Sequence, residues 1–156
     1  MAFDAALEKV IVFGGCDATH EFGDTWEYDG KRWRQAATAG PSPRTGARMA
    51  FDASRERVVL FGGAAGNQMC GDTWTWDGST WTKLEVPSPP ARSHHAMSWD
   101  SRRQKVLLFG GYDHSRGVNL DDAWELEETG WRERKADAKL PDPRSPDPRP
   151  PKKGSP

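Results

Sequence analysis

The chain carries the same arrangement of apolar and polar positions three times. Each repeat contains a continuous apolar run of four residues, at 10–13, 58–61 and 106–109, and a pair of glycines follows each run directly. Short β-branched and aromatic runs that end at glycine are typical of strands buried on both faces. The pattern therefore predicts one central buried strand in every repeat.

Three further strands accompany the central strand of each repeat. A first strand ends in the similar segments 1–4, 49–52 and 97–100, and a short polar turn separates it from the central one. A third strand over residues 73–76 stops at Asp77-Gly78, which favours a tight hairpin with positive φ at both central residues. The fourth strand begins at Trp81, and a proline-rich link leads from it to the next repeat.

Glycine and tryptophan recur in register along the chain. The glycine pairs are expected to permit positive φ and close approach of backbones, and they are Gly14, Gly15, Gly62, Gly63, Gly110 and Gly111. Every repeat has one tryptophan in its third strand and a second one seven residues later. We expect structural and mostly buried roles for this set, which comprises Trp26, Trp74, Trp124, Trp33, Trp81 and Trp131.

Four strands in a repeat of about 50 residues are typical of a propeller blade. This pattern resembles kelch repeats in four further features. They are the double glycine, an Asp and Trp after a variable loop, a second Trp, and an Arg that opens the next unit. The form is similar to bacterial kelch arrays and to the central domain of galactose oxidase. The resemblance implies an all-β kelch-type β-propeller arc of about three four-stranded blades, an incomplete ring, over residues 1–135.

The predicted blades cover approximately residues 1–38, 39–86 and 87–135. The first blade lacks the opening of its first strand, since Met1 aligns with Met49. Residues 136–156 are rich in proline and basic side chains, a composition that predicts a disordered tail.

The number of repeats leaves two open blade faces. By the same resemblance, kelch propellers close with six or seven blades, whereas this sequence contains three. Open faces that expose Trp, Val and Leu favour association. We interpret the chain as a fragment of a longer protein or a truncated gene, with self-association of two copies and a marginal, partly disordered product as the alternatives.

Charge and composition argue against several classes of partner. The net charge is −1, and an acidic body is followed from Arg132 by eight basic and four acidic residues, which does not predict nucleic-acid binding. No apolar run approaches the ~18 residues of a membrane helix, so no membrane partner is expected. No signal peptide is recognisable, and the compartment stays unknown. Cys16 and Cys70 are expected to be free thiols.

The loops between the second and third strands leave each blade at the same end as the links. By resemblance, kelch proteins bind partners at this end, and loops on a fixed scaffold often carry specificity. The candidate ligand-binding residues are Arg44, Arg92, His20, Asn67, Gln68, His114 and Arg116.

Two interpretations stay open for Arg44 and Arg92, which stand in the links between repeats. Each guanidinium can bind a carboxylate, phosphate or sugar in a bidentate manner, or it can pair with Asp or backbone carbonyls at the blade junction. The recurring aspartates are expected to cap the turn into the third strand, and they are Asp24, Asp72 and Asp122.

These features predict a non-enzymatic kelch-repeat scaffold that engages a protein or glycan partner. The alternative is a fragment of a kelch-type carbohydrate-active enzyme, similar to galactose oxidase or to a sialic-acid mutarotase. No cofactor and no metal site are expected, because His20 and His114 stand two blades apart and His94 and His95 are placed in a first strand. Tyr28 does not match the copper site that resemblance to galactose oxidase would imply.

Overall fold

The computed structural model describes residues 1–135, and the predicted tail at 136–156 lies outside the described residues. It confirms the all-β prediction, with three four-stranded antiparallel sheets, here blades 1 to 3, that do not close a ring. Blade 1 comprises β1 (Ala2–Asp4), β2 (Lys9–Cys16), β3 (Glu21–Tyr28) and β4 (Trp33–Ala37). Blade 2 comprises β5 (Arg48–Asp52), β6 (Arg57–Phe61), β9 (Thr73–Trp76) and β10 (Trp81–Leu84), and the short pair β7 (Ala64–Ala65) and β8 (Gln68–Met69) lies in its loop. Blade 3 comprises β11 (Ala96–Asp100), β12 (Lys105–Asp113), β13 (Val118–Glu127) and β14 (Gly130–Arg134).

The hairpins between the third and fourth strands of blades 1 and 2 are wider than the sequence predicts. Trp76 pairs with Trp81, so the turn holds four residues, and Gly78 has positive φ (94°) whereas Asp77 does not. The Asp77 carboxylate accepts the backbone N–H groups of Ser79 and Thr80 at 2.9 and 2.8 Å. This side-chain turn replaces the expected two-residue type I′ turn, because the aspartate satisfies the backbone donors locally.

The glycine pairs do not end the central strand in every blade. In blade 2 the strand β6 stops at Phe61, but β2 and β12 continue past their glycines with a shift of register. Gly62 has a φ of 71°, and a Cβ there would lie 2.5 Å from the carbonyl oxygen of Arg92. The glycines therefore admit the following link against the blade, as expected from their small size.

The core lies between the blades and forms two clusters. Alternation along β6 sends Val58 and Leu60 toward blade 1, and Val59 and Phe61 toward blade 3. All four side chains are essentially inaccessible to solvent. Blade 2 therefore contributes both faces of its central strand to the core, as its continuous apolar run predicts.

One contact recurs at both junctions between blades. Across the first, the Trp81 ring lies 5.5 Å from the ring of Phe13, and its indole N–H donates to the Thr25 hydroxyl at 2.8 Å. Across the second, Trp131 lies 5.6 Å from Phe61 and donates to the Thr73 hydroxyl at 2.9 Å. We call this Phe, Thr and Trp arrangement a blade joint.

Tryptophan burial depends on the neighbouring blade. Trp81 and Trp131 are 6% and 5% exposed, and Trp74 and Trp124 are half-buried in the two clusters. Their counterparts in blade 1 are exposed, Trp26 at 37% and Trp33 at 55%. The more buried tryptophans therefore belong to the two blades that have a preceding neighbour in the described chain.

Candidate interaction surface

Both links pack against the loops between second and third strands, at what we call the loop end. Arg44 donates its backbone N–H to the carbonyl of Phe22 at 3.2 Å, and Thr45 pairs with Ala64. The second link repeats this arrangement, since Arg92 donates to Cys70 and Ser93 pairs with Tyr112. The loop end is thus held together by main-chain hydrogen bonds between segments distant in sequence.

The Arg44 guanidinium lies inside this end of the blade. It is 3% exposed, and it forks onto the two carboxylate oxygens of Asp72 at 2.6 and 3.1 Å. Its other N–H groups reach the carbonyl of Gly62 and both the carbonyl and hydroxyl of Ser42. All five donors of the guanidinium therefore have acceptors within the protein.

Arg92 repeats this arrangement between blades 2 and 3. Its side chain is fully buried and forks onto Asp122, with further bonds to the carbonyls of Pro90 and Gly110 at 3.0 Å. The Arg92 guanidinium lowers the pKa of Asp122, and the opposing effect of burial is smaller. The geometry favours pairing at the blade junction for both arginines, and ligand binding through them stays a prediction.

The other candidate residues lie on the surface of the loop end. All five candidates are exposed: His20, Asn67, Gln68, His114 and Arg116. His20 lies in a turn in which the Asp17 carboxylate accepts three hydrogen bonds, two from Thr19 and one from the backbone N–H of His20. The His114 ring sits edge-on to Tyr112 and lies 3.2 Å from the Ser93 hydroxyl. The loops of blades 1 and 2 are connected, because the Glu21 carboxylate accepts the backbone N–H of Gly66 at 2.7 Å.

A family model for the KLHDC2/KLHL20/DRC7 Kelch-repeats domain matches residues 1–145. The chain belongs to the Kelch-repeat family. Among curated proteins, none matches it. Kelch-repeat domains generally mediate protein–protein interactions, and membership of the family suggests a protein-interaction scaffold.

The recurring Kelch aspartates have a different role from the turn capping that the sequence suggests. Asp24, Asp72 and Asp122 each accept the indole N–H of the tryptophan two residues later, at 2.7 Å in all three blades. In blades 2 and 3 the same carboxylate also receives the arginine of the preceding link. The Asp-x-Trp spacing places both side chains on one face of the third strand, and alternation along a strand explains the contact.

Sequence reasoning missed the threonine of the blade joint. Thr25 and Thr73 are fully buried, and each hydroxyl accepts an indole N–H from the next Kelch blade. The signal was present, since threonine follows the aspartate in two repeats and Ala123 replaces it in the third. The role of this threonine could not be inferred from neighbouring residues, because its tryptophan partner lies more than 50 residues away in the sequence.

His95 is buried beside the second link and not within a strand, because β11 begins at Ala96. It is 1% exposed, and neither ring nitrogen has a hydrogen-bond partner among the described residues. Burial lowers the pKa of His95 from 6.5 to about 3, with help from the positive charges of Arg92 and Arg48. The neutral imidazole is therefore the form that the folded Kelch domain accommodates.

Acidification is expected to destabilise the domain through His95. Its pKa is lower in the folded chain than in the unfolded chain. The contribution of His95 to the free energy of unfolding is therefore fully present above about pH 6.5. It is lost progressively as the pH falls toward about 3, by at most about 1.4 kcal/mol per pH unit. Urea unfolding at several pH values between these limits would measure how the free energy of unfolding depends on pH. His95→Leu should reduce this dependence, and the exposed control His20→Leu should leave it unchanged. An unchanged slope in His95→Leu would contradict the assignment.

The described residues hold no group of three or more His, Cys, Asp or Glu side chains placed to bind a metal ion. Cys16 and Cys70 are both free thiols, and burial raises the pKa of Cys70. Within residues 1–135, no helix is long and apolar enough to cross a membrane.

Proposed function

We propose that this Kelch-repeat domain binds a protein partner through its loop end. The contacts are assigned to the five exposed candidates, namely His20, Asn67, Gln68, His114 and Arg116. The observation that carries the proposal is the contrast between these exposed loop residues and the buried Arg44 and Arg92 side chains at the same end of the blades, which pair with half-buried Asp72 and Asp122.

Rigid support under a variable surface favours specific binding. Each arginine ties a link to the first glycine carbonyl of the glycine pair, at Gly62 or Gly110, and to the recurring aspartate of the same blade, Asp72 or Asp122. The intervening loop is thereby held at both ends, which reduces the entropy lost when a partner orders it. Arg44 and Arg92 then act as supports, and the side chains above them supply the contacts.

The exposed set suits a protein surface with mixed polar character. Asn67 and Gln68 offer amide donors and acceptors, Arg116 offers a planar cation, and His114 presents a ring next to Tyr112. Arginine and aromatic side chains are common among the residues that dominate binding at protein interfaces. We therefore expect His114 and Arg116 to contribute most to affinity.

Paired substitutions at opposite ends of the blades test the proposal. A partner captured with the intact chain and then purified should bind the double variant His114→Ala/Arg116→Ala at least about tenfold more weakly by calorimetry, a loss of about 1.4 kcal/mol. The double variant Arg102→Ala/Arg103→Ala at the opposite end is the matched control, since both arginines are exposed on a turn.

The control should bind with unchanged affinity. A loss confined to the Arg102 and Arg103 variant would place the contact surface at the turn end and overturn the assignment. Circular dichroism of each variant separates lost binding from lost folding. If the captured ligand is a glycan whose binding depends on His114 and Arg116 in the same way, the loop end is the binding surface but the proposal of a protein partner is wrong.

A further inference from the structure

We propose that the two open blade faces of this chain bind each other across two copies, so that two three-blade arcs join head to tail in one ring. The outer face of blade 1 carries Phe3, Val10, Val12, Trp26 and Trp33. The outer face of blade 3 carries Leu107, Phe109 and Ala123. Strand alternation and pairing place these residues opposite the ones packed against blade 2.

The two open faces hold the two missing halves of a blade joint. Trp33 is the blade 1 counterpart of Trp81 and Trp131, and it is 55% exposed. Phe109 is the blade 3 counterpart of Phe13 and Phe61, and it is 57% exposed. One face thus presents the tryptophan of a joint and the other presents the phenylalanine.

Joints within the chain show what such faces bind. When the next blade is present, the equivalent phenylalanines fall to 9% and 0% exposure and lie 5.5 and 5.6 Å from a tryptophan ring. A second copy supplies the same pair of aromatic rings. Because the surfaces differ from each other, pairing is head to tail, and a two-fold arrangement satisfies both joints at once.

The three described blades do not bring the two open faces into contact, since their sheets do not close a ring. Propellers use about four to eight blades, and two copies of this arc provide six. A second copy is therefore the occupant that the matched faces favour.

One difference makes this joint weaker than those within the chain. Ala123 stands where Thr25 and Thr73 accept an indole N–H, so the Trp33 of a second copy has no hydroxyl at that position. A neutral hydrogen bond contributes about 1 kcal/mol. We therefore expect Ala123→Thr to tighten association about fivefold at each joint.

Sedimentation equilibrium of the full chain, at concentrations up to about 1 mM, tests the proposal. The 17.4 kDa chain should sediment as a dimer, and Trp33→Glu and Phe109→Glu should each weaken association at least about tenfold. Val118→Glu is the matched control, because Val118 is an exposed apolar residue (38%) outside both faces and should leave association unchanged.

Mixing the two variants distinguishes head-to-tail pairing from pairing of identical faces. A Trp33→Glu chain with a Phe109→Glu chain retains one intact joint, so the mixture should associate more tightly than either variant alone. A wild-type monomer over the whole range, or failure of both the mixture and Ala123→Thr to strengthen association, would overturn the proposal.

Discussion

Arg92→Met is expected to lower the free energy of unfolding by about 3 kcal/mol, near the lower end of the cost of breaking a buried ion pair, because 22% of the Asp122 side chain stays exposed to solvent. The side chain is fully buried and holds Asp122 in a fork. Without the guanidinium, the Asp122 carboxylate keeps only the indole of Trp124 as a side-chain partner among the described residues. The carbonyls of Pro90 and Gly110 also lose the N–H donor that Arg92 supplies. Urea unfolding followed by tryptophan fluorescence measures the change.

Arg116→Met is the matched control for this experiment. Arg116 is exposed in the neighbouring loop, and a surface substitution of this kind usually changes stability by no more than about 0.5 kcal/mol. Arg92→Lys should lie between the two, because lysine restores a charge without the planar fork. If Arg92→Met costs no more than Arg116→Met, the pair is not a structural support and the direct ligand-binding interpretation regains force.

Trp81→Ala is expected to cost about 3–5 kcal/mol of unfolding free energy, as is typical when a large aromatic core side chain is removed. The ring is 6% exposed, packs against Phe13 and Trp76, and donates to the buried Thr25 hydroxyl. Truncation therefore opens a cavity at the junction of blades 1 and 2 and also leaves that hydroxyl without its donor. Thermal and urea unfolding at fixed protein concentration provide the measurement.

Trp33→Ala offers a control at the equivalent position of blade 1. At low protein concentration it should cost less than about 1 kcal/mol, because more than half of the ring is already in solvent. If two copies join as proposed, its cost should grow as the protein concentration rises, since association stabilises the folded chain by mass action. The cost of Trp81→Ala should show no such growth. Equal costs for the two variants at low concentration would contradict the assigned packing.

The sequence by itself determined the repeat and its strands. Apolar runs such as Val58 to Phe61, closed by two glycines, set the buried central strand, and the Asp-Gly pairs set the hairpins. These signals are local, because strand alternation and positive φ depend on a few neighbouring residues. Even here the detail of the turn at Asp77 was wrong, since the aspartate side chain fixed a wider loop.

Only the tertiary structure decided what equivalent side chains do. Arg44 had two open interpretations because its partner Asp72 lies 28 residues further along the chain. Trp33 and Trp81 occupy the same repeat position, yet one is exposed and the other is buried, since burial depends on whether a preceding blade covers the ring. Repetition in the sequence makes the blades alike, and the neighbours that each blade has in space make their residues different.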